Sequence, residues 1–415
     1  MQDSTSDRIS YLPNDVIEKI LTCMPTKDAV RTSVLSKKWR YNWVTIPKLE
    51  FDYAFYEKSI TTRESWTTST NEFVLTICQV LLLHRGPILK FKLQLSALEN
   101  CSAVDQLIPL VSINGVRDLT LDIMSDEPYE LPSSLFSCVQ LEHLELHDCL
   151  FVPPPRFNGF SKLHSLELHE VIITSEVFSG LISNCPLLKE LKLVDPASFS
   201  DLEITAPNLH SLYYKGNFSY IWLKNAPNLA RVSIHFPCLM NKVNVSKWVT
   251  LFAGLPAVEF LELEYFRLKL FPQSDIPRKL PVDLSNLKIL NLDATLGSVC
   301  AVSSILCLIR SSPNLEKIKI RDLTDHILIM PTLEHFEEQG LLDIYLNRLR
   351  KVDLHMACNQ GFQLEFVKFL LDTSPILEKM VIQQIYAMNH RRLMFWKAVT
   401  QFRRLSPLAE VFIKF

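Results

Sequence analysis

The chain has 415 residues, of which 48% are hydrophobic and 21% are charged. This composition predicts a globular protein that is too long for a single small core. A net charge of −2 excludes a general polyanion binder, whose surface would be distinctly basic. The chain has no apolar run of about 18 residues and no apolar N-terminal segment, so we expect neither a membrane span nor a signal peptide.

Three short helices are predicted between residues 7 and 48. Pro13 fits the first turn of a helix, where its missing N–H has no intrahelical acceptor to lose. Apolar residues then recur at helical spacing, at Val16, Ile17, Ile20 and Leu21. Pro25 ends this helix, and Ser36 is placed to cap a third one that carries Trp39 and Trp43 on one face. A module of about forty residues is too small to bury all of its apolar surface. We therefore expect a partner or the rest of the chain to cover that surface.

A repeating frame, L-x-x-L-x-L or a close variant, fills the chain from Ile88 onward. Examples are Leu141/Leu144/Leu146, Leu163/Leu166/Leu168 and Leu315/Ile318/Ile320, and successive frames are 20 to 34 residues apart. Each Leu-x-Leu pair alternates as a strand does, and apolar helices are predicted between the strands. Six prolines each precede a frame by two residues and mark the return from helix to strand. Between Leu188 and Leu229 the repeats are too short for a helix, and we expect tight turns.

Enzymatic motifs are absent from the sequence. It contains no GxSxG, no HExxH, no phosphate-binding Gly-rich loop and no Cys/His set at zinc spacing, so no catalytic residue and no cofactor is predicted. The ten cysteines form no CxxC pair and lie mostly beside apolar residues. That usage is typical of reduced thiols, and we expect a cytoplasmic or nuclear protein.

The two ends of the chain resemble a known family. Leu12-Pro13, the helix that follows, Pro25, Leu35 and Lys38-Trp39-Arg40 resemble an F-box, and PTKDAVRTSVLSKKWRYNW resembles that of the plant F-box/FBD/LRR-repeat proteins. LEFVKFLLDTSPILEKMVI and FRRLSPLAEVFIKF resemble the FBD region of the same family. The resemblance implies that the F-box binds a Skp1-like adaptor and, through it, a cullin. Its expected contact residues are Leu12, Pro13, Val16, Ile20, Leu35 and Trp39.

The expected fold is α/β, with a three-helix F-box followed by an irregular leucine-rich-repeat solenoid and an FBD-like cap. The expected domains are 7–48 (F-box), 49–87 (linker and N-terminal cap), 88–348 (repeats) and 349–415 (FBD-like region closing the solenoid). The resemblance implies a substrate-recognition adaptor of an SCF-type ubiquitin ligase. The alternative is a repeat binding module or inhibitor that acts outside a ubiquitin ligase.

The outward side chains of the strands should line the concave face of a solenoid and bind a protein substrate. Acidic residues gather on the early strands, whereas Lys317, Lys319, Arg321 and Lys351 cluster on two later ones. Each group should generate a local potential that steers a partner of opposite charge. The candidate substrate-binding residues are His147, Glu167, His169, Tyr213, Lys317, Lys319 and Arg321.

Two groups of residues, one on the early strands and one in the F-box-like stretch, allow a second interpretation. Strand spacing should make His147 and His169 near neighbours, with Asp122 and Glu145 beside them. A metal site is one reading of this group, but we expect two solvated histidines next to acids and predict no metal. Lys37 to Arg40 could belong to a DNA-binding helix-turn-helix, but the near-neutral charge favours a solvated basic face beside a packed Trp39. We therefore expect neither nucleic acid nor membrane as a partner.

Overall fold

The computed structural model describes residues 9, 12–53, 55, 66–98, 104–125, 127–196, 201–216, 220–236, 245–265, 277–294, 296, 299–322, 344–356, 362–384 and 389–414. The chain divides into two compact units, Met1–Phe199 and Ser200–Phe415. Within the described residues, no helix is both long and apolar enough to span a bilayer.

In the first unit the helices precede or connect parallel strands. The α-helices are α1 (Asn14–Thr22), α2 (Thr26–Arg31), α3 (Trp66–Leu83), α4 (Leu107–Ile113) and α5 (Ser175–Ser183). Short 3₁₀ helices lie at Thr32–Val34, Asn42–Thr45, Val104–Gln106 and Ser133–Ser137. The strands are β1 (Lys48–Phe51), β2 (Lys90–Leu98), β3 (Asp118–Ser125), β4 (Tyr129–Glu130), β5 (His143–His147), β6 (Cys149–Leu150), β7 (Ser165–His169) and β8 (Glu190–Val194).

The main sheet of this unit has the order β1-β2-β3-β5-β7-β8, with every pair parallel. Its pairing places one frame position directly over the next. Leu121, Leu146, Leu168 and Leu193 lie in register on four successive strands, each at most 1% exposed. This confirms the predicted strands, because only an in-register parallel sheet stacks the Leu-x-Leu pairs of separate repeats on one buried face.

The F-box region is bonded directly to this sheet. The backbone N–H of Glu50 on β1 donates to the Thr26 hydroxyl at 2.7 Å, and Nε2 of His84 lies 2.9 Å from the carbonyl oxygen of Ile46. The N–H of Arg85 also donates to the carbonyl of Val44 at 2.8 Å. Residues 49–87, predicted as linker and cap, therefore contain the last residues of the first sheet strand and α3.

The region predicted as a third F-box helix has a different structure. After α2 the chain forms a 3₁₀ turn at Thr32–Val34, then turns through residues 36–41, then a second 3₁₀ helix at Asn42–Thr45. The hydroxyl of Thr32 donates to the carbonyl of Ala29 at 2.6 Å, and the Ser36 hydroxyl accepts from the N–H of Trp39 at 3.4 Å. Ser36 thus makes the bond expected of a helix cap, but the backbone after it continues as turns and a 3₁₀ helix instead of an α-helix.

The second unit repeats the same parallel pattern. Its α-helices are α6 (Val245–Ala253), α7 (Val299–Arg310), α8 (Phe362–Thr373) and α9 (Asn389–Gln401). Its strands are β9 (Asp201–Thr205), β10 (Ser211–Lys215), β11 (Tyr220–Asn225), β12 (Arg231–Phe236), β13 (Phe260–Tyr265), β14 (Ile289–Ala294), β15 (Lys317–Asp322), β16 (Lys351–Met356), β17 (Lys379–Gln384) and β18 (Glu410–Lys414). The main sheet runs from β10 through β12 to β18 in chain order, again parallel.

The short repeats contain two strands that were not predicted, in addition to the expected turns. Between Leu188 and Leu229 the described residues form no helix, and tight turns close at Leu209 and Leu229, as expected. β9 and β11 form a separate two-stranded parallel sheet. Its apolar residues alternate along each strand and are at most 5% exposed: Leu202, Ile204, Ile221 and Leu223. A second period of two therefore lies between the frames and buries its own stack.

Pro-containing turns return the chain to each strand. The N–H groups of Leu188, Leu209, Leu229, Val258 and Leu315 each donate to the carbonyl three residues earlier. This bond closes a β-turn with proline at its second position, where a fixed φ is favourable. Side-chain amides then link successive turns: Asn228 donates to Pro207 O at 2.9 Å, Asn286 to Pro256 O at 2.9 Å and Asn314 to Ser285 O at 2.7 Å.

The boundaries of the four predicted domains stay predictions. Residues 349–415 contribute β16, β17 and β18 to the sheet of the second unit, together with α8 and α9. On β18 the side chains alternate between exposed and half-buried, whereas each earlier strand from β14 buries alternate side chains. A closing role for this region therefore remains an expectation.

Two glycines provide a test of the backbone geometry. Gly159 has a φ of +78°, and a Cβ there would lie 2.5 Å from the carbonyl oxygen of Asn184. We predict that Gly159→Ala destabilises the first unit by about 1–3 kcal/mol, because both the strained φ and the contact oppose a side chain. The free energy of unfolding, measured in urea, checks this.

Gly180→Ala is the matched control. Gly180 lies inside α5, and a Cβ there meets nothing within 4 Å. Alanine should stabilise this helix by roughly 0.5–1 kcal/mol. Equal stability of the two variants would contradict the geometry assigned to Gly159.

Candidate functional site

The F-box region fills its core with its own side chains. The buried residues are Ile17, Leu21, Ala29, Trp39 and Trp43. Trp39 is 3% exposed, and its indole N–H donates to the carbonyl of Ile9 at 3.4 Å. Beside it, the ammonium of Lys38 donates to the carbonyl of Leu12 at 2.6 Å. Trp39 therefore packs inside the module and offers almost no surface to a partner.

A separate group of apolar side chains on the same region is exposed. Val34 and Leu35, at the end of the first 3₁₀ turn, are 87% and 60% exposed, and Ile20 and Tyr41 are exposed as well. Of the other predicted contact residues, Pro13 is exposed, whereas Leu12 and Val16 are half-buried. Sequence reasoning missed Val34 and Tyr41, because a helical reading of residues 32–43 does not tell which side chains face outward.

The polar residues of the first sheet stand in rows across its strands, as predicted. Thr120, Glu145, Glu167 and Lys192 form one row on β3, β5, β7 and β8. Gln94, Asp122, His147 and His169 form the next row on β2, β3, β5 and β7. We call this surface the polar face of the first sheet. Side chains in one row lie about one strand spacing, roughly 4.8 Å, apart.

His147 and His169 are stacked. Their ring centroids are 4.1 Å apart and their planes differ by 9°. Nε2 of His147 lies 2.9 Å from Oε1 of Glu145, whereas Nε2 of His169 is 3.6 Å from Oε2 of Glu167. The imidazoles are 22% and 19% exposed, so they are half-buried rather than fully solvated. Flat rings at strand spacing cover each other and thereby reduce their contact with water.

Asp122 is the most buried acid of this group, with 5% exposure. Its Oδ2 accepts hydrogen bonds from the Tyr53 hydroxyl at 3.1 Å and from the Gln94 amide at 3.0 Å. Its Oδ1 has no hydrogen-bond partner within the described part of the chain. Sequence reasoning predicted neither contact of Asp122, since Tyr53 comes 69 positions before it.

The charges of this face shift one another's pKa values. His169 and Lys192 lower the pKa of Glu167 to about 2, against the opposing effect of burial. The pKa of Glu145 is also lowered, chiefly by its bond to His147. Burial lowers the pKa of His147, but the nearby carboxylates of Glu145 and Asp122 outweigh it and raise that pKa overall. Glu145 and Glu167 are therefore ionised acceptors at neutral pH.

In the second unit, Tyr213 and Arg321 belong to one network. The ring of Tyr213 lies 4.7 Å from that of His235, and Nδ1 of His235 is 2.5 Å from Oε2 of Glu264. Arg321 contacts Glu264 at 3.3 Å and Asp293 at 3.1 Å. Burial raises the pKa of Asp293 to about 6 although the Arg321 guanidinium opposes this. His235 and Glu264, which connect two predicted contact residues, were not singled out from the sequence.

The predicted basic cluster is partly neutralised. Arg321 has its two carboxylates, and Lys317 pairs with Asp353 at 3.2 Å. Lys319 and Lys351 have no ion-pair partner among the described residues. Burial, together with the charges of Lys319 and Arg321, lowers the pKa of His355. The free positive charge of this face is therefore centred on Lys319 and Lys351.

The low pKa of Glu167 predicts a pH-dependent contribution to stability. A carboxylate whose folded pKa lies below its ordinary value of 4.5 stabilises the protein above that value, and the stabilisation is lost as pH falls toward about 2. We predict that Glu167→Gln lowers the Tm at pH 7 and that this difference shrinks as the pH falls from 4.5 to 3. Melting curves of both proteins across this range measure it.

Glu190→Gln, which removes an exposed carboxylate from the next strand, is the control. Its effect on the Tm should be small at pH 7, because exposed charges contribute little to stability. A Glu167→Gln difference that stays constant down to pH 3 would disprove the ion contacts described for Glu167.

Comparison with known proteins agrees with this architecture. The family described as "FBD-associated F-box protein At5g56370, LRR repeats" matches residues 104–320, and the F-box domain family matches residues 9–48. The F-box/FBD/LRR-repeat protein At1g13570 of Arabidopsis thaliana is 35% identical over 417 residues, covering 98% of each chain. The FBD-associated F-box protein At5g56370 of the same plant is 32% identical over 54% of this chain and 52% of its own length.

Among solved structures, the leucine-rich repeat-containing protein LegL7 of Legionella pneumophila matches with 13% identity and a TM-score of 0.32, over 60% of this chain and 82% of that one. This likeness is too weak to support any argument about the fold. The F-box match, the repeat match and the relative of nearly equal length agree with one another. The chain therefore belongs to the plant F-box/FBD/LRR-repeat family of F-box adaptor proteins.

Proposed function

We propose that the chain is a substrate-recognition adaptor of an SCF-type ubiquitin ligase. Its F-box region binds a Skp1-like protein and, through it, a cullin, while the polar strand faces hold a protein substrate. The adaptor supplies no catalytic side chain. Its contribution is proximity, because a substrate held near a ubiquitin carrier meets it at a high effective concentration.

The exposed apolar group of the F-box region carries this proposal. Val34 and Leu35 stand out at 87% and 60% exposure on a module whose core is already filled by other residues. Large apolar side chains that stay this exposed on a folded module are typical of a protein interface. The proposed contacts are Leu12, Pro13, Val16, Ile20, Val34, Leu35 and Tyr41, whereas Trp39 holds the module together from inside.

The attachment of the F-box region to the first sheet supports a proximity mechanism. The bonds from Glu50 to Thr26 and from Arg85 to Val44 leave no flexible tether between α2 and β1. A partner bound to the F-box region thus keeps a fixed orientation toward the polar face of the first sheet. A fixed geometry concentrates a bound substrate near one place more than a loose tether does.

The charges of the second sheet support recognition of an acidic segment. Lys351 lies in register between Lys317 and Lys379, and Lys319 stands one position along the same face. Like charges at strand spacing repel one another, so an acidic partner that meets them relieves the repulsion. The other proposed substrate contacts are Tyr213 and Arg321 in the second unit and His147, Glu167 and His169 in the first.

We also propose a cytoplasmic or nuclear location. The described cysteines Cys23, Cys78, Cys138, Cys149, Cys185 and Cys307 are all free thiols. Burial raises the pKa of Cys138 and of Cys185 to about 11, which keeps both thiols protonated and unreactive. These features support a reducing compartment.

The first test replaces the exposed apolar pair. Val34→Glu/Leu35→Glu should lower affinity for a Skp1-like protein by roughly twentyfold or more, since losing a buried hot spot costs about 2 kcal/mol or more. The double variant should keep its Tm, because neither side chain belongs to the core. Isothermal titration with the purified Skp1-like protein measures the affinity.

Leu82→Glu, which changes an exposed leucine on α3 outside the F-box region, is the matched control and should bind normally. Trp39→Ala tests whether Trp39 stabilises the F-box region from inside, and this variant should lower the Tm. Wild-type affinity of the Val34→Glu/Leu35→Glu variant would refute this interface. No Skp1 binding by the wild-type chain would favour a repeat binding module that acts outside a ubiquitin ligase.

The second test reverses the unpaired lysines. Lys319→Glu/Lys351→Glu should abolish recruitment of the substrate while Skp1 binding stays unchanged. A carboxylate at position 319 would lie opposite Asp353 on β16, so we expect a small decrease in the Tm without unfolding. Arg321 is left intact, because a glutamate there would place three carboxylates together and destabilise the sheet. Affinity purification with quantitative mass spectrometry compares the proteins retained by each variant.

Lys368→Glu/Lys397→Glu, on exposed helix positions of the same unit, gives the same change in net charge. This control should retain the proteins that the wild-type chain retains. If both double variants lose the same proteins, net charge rather than the strand face is responsible. If neither loses any, the substrate binds elsewhere.

A further inference from the structure

The polar face of the first sheet contains a cluster of metal-binding side chains. One ligand atom from each of Glu145, His147 and His169 lies within 4.8 Å of the other two. The three residues come from β5 and β7, which pair in register, so the sheet itself fixes their spacing. Among the described residues this is the only group of three such side chains found together.

Two buried polar atoms at this cluster have no hydrogen-bond partner in the described structure. They are Nε2 of His169 and Oδ1 of Asp122. Asp122 is 95% buried, and its register partner on β5 is His147. Its other oxygen is held by Tyr53 and Gln94, which fixes the carboxylate in place. Buried polar atoms are rarely left unpaired in folded proteins, and a bound ion or water molecule can supply the missing partner.

The donor set is that of a transition-metal site. Two imidazole nitrogens with carboxylate oxygens suit Zn²⁺, which commonly has two histidines and one glutamate as ligands. Oε1 of Glu145 and Nε2 of His147 share a hydrogen bond at 2.9 Å. A metal ion would replace the proton of that bond and give Nε2 of His169 a partner as well.

We propose that Glu145, His147 and His169, with Asp122 as a fourth ligand, form a site for a single divalent transition-metal ion such as Zn²⁺. This site replaces the expectation, drawn from the sequence, of solvated histidines without a metal. It does not depend on Skp1 binding, since all four residues lie outside the F-box region.

Binding requires a defined local rearrangement. Zinc–nitrogen bonds of about 2.0–2.1 Å put tetrahedral ligands roughly 3.3 Å apart. The ligand atoms of Glu145, His147 and His169, which now lie within 4.8 Å of one another, must therefore approach by up to about 1.5 Å, and the carboxylate of Asp122, which lies outside that group, must come closer as well. The two rings now stack at 4.1 Å, with their nitrogen lone pairs in nearly parallel planes. The rings must therefore rotate out of the stack to share one ion. The same rotation would expose the ion on the polar face, where a carboxylate or histidine of a bound protein can reach it.

Metal titration of the full-length chain tests the proposal. After treatment with EDTA, the wild-type protein should bind one Zn²⁺ per chain by isothermal titration and give visible absorption bands with Co²⁺. His147→Ala/His169→Ala should lower the affinity at least about tenfold, and Asp122→Asn should lower it less. His143→Ala/His164→Ala removes two neighbouring histidines outside the cluster and should bind as the wild type does.

Proton NMR of the histidine rings in the wild-type chain tests the metal site even if the His147→Ala/His169→Ala variant misfolds. Zn²⁺ should shift the ring signals of two of the 11 histidines in the wild-type chain, and single variants assign them to His147 and His169. The proposal is overturned if the wild-type chain binds no stoichiometric Zn²⁺. It is also overturned if the His147→Ala/His169→Ala variant binds with unchanged affinity, or if the shifted signals belong to other histidines.

Discussion

In-register pairing of parallel strands is the constraint on which both units depend. Each frame position lies beside the same position of the neighbouring strand, so every side chain is next to the side chain that has the same place in the next repeat. On the buried face this pairing stacks Leu121, Leu146, Leu168 and Leu193. Contact between like apolar side chains is favourable, because it removes apolar surface from water. On the polar face the same rule puts histidine on histidine and lysine on lysine, and there the consequences depend on chemistry.

The two sheets resolve this problem differently. In the first unit, Glu145 and Glu167 lie side by side on neighbouring strands, but each contacts a histidine on its own strand, and Glu167 also contacts Lys192 on the next. In the second unit, Arg321 and Lys317 contact carboxylates, whereas Lys319 and Lys351 have no ion pair with any residue that the structure describes. Lys317, Lys351 and Lys379 lie in register on three successive strands. Like charges at strand spacing weaken a sheet, so this row lowers the stability of the second sheet.

Local patterns predicted the strands well because the evidence for each strand lies within a few residues. Leu-x-Leu alternation and a proline two residues before the frame both act at short range, and the structure confirms the register that they imply. The F-box region shows the limit of such patterns. Trp39 and Leu35 both belong to its motif, but one is buried and the other exposed, and spacing alone does not distinguish them.

Contacts between distant parts of the sequence were beyond such reasoning. The hydrogen bond from Tyr53 to Asp122 joins positions 69 residues apart, and the hydroxyl of Thr26 accepts from Glu50 across two elements. The prediction of a third F-box helix was wrong although its cap is present: the Ser36 hydroxyl accepts from the N–H of Trp39, but a 3₁₀ helix and turns follow it, which apolar spacing does not distinguish from an α-helix. The candidate metal cluster was predicted in part. Strand spacing placed its two histidines next to each other, but it did not indicate that their rings are half-buried.

The links between successive turns are all short in sequence. Asn228, Asn286 and Asn314 donate to carbonyl oxygens of the preceding turn, 21 to 30 residues earlier, and the N–H groups of Glu142, His164 and Lys189 donate likewise to the repeat before them. Each of these bonds needs only the neighbouring repeat. Within each unit, a repeat emerging from the ribosome can therefore dock on the one before it as soon as it has been synthesised.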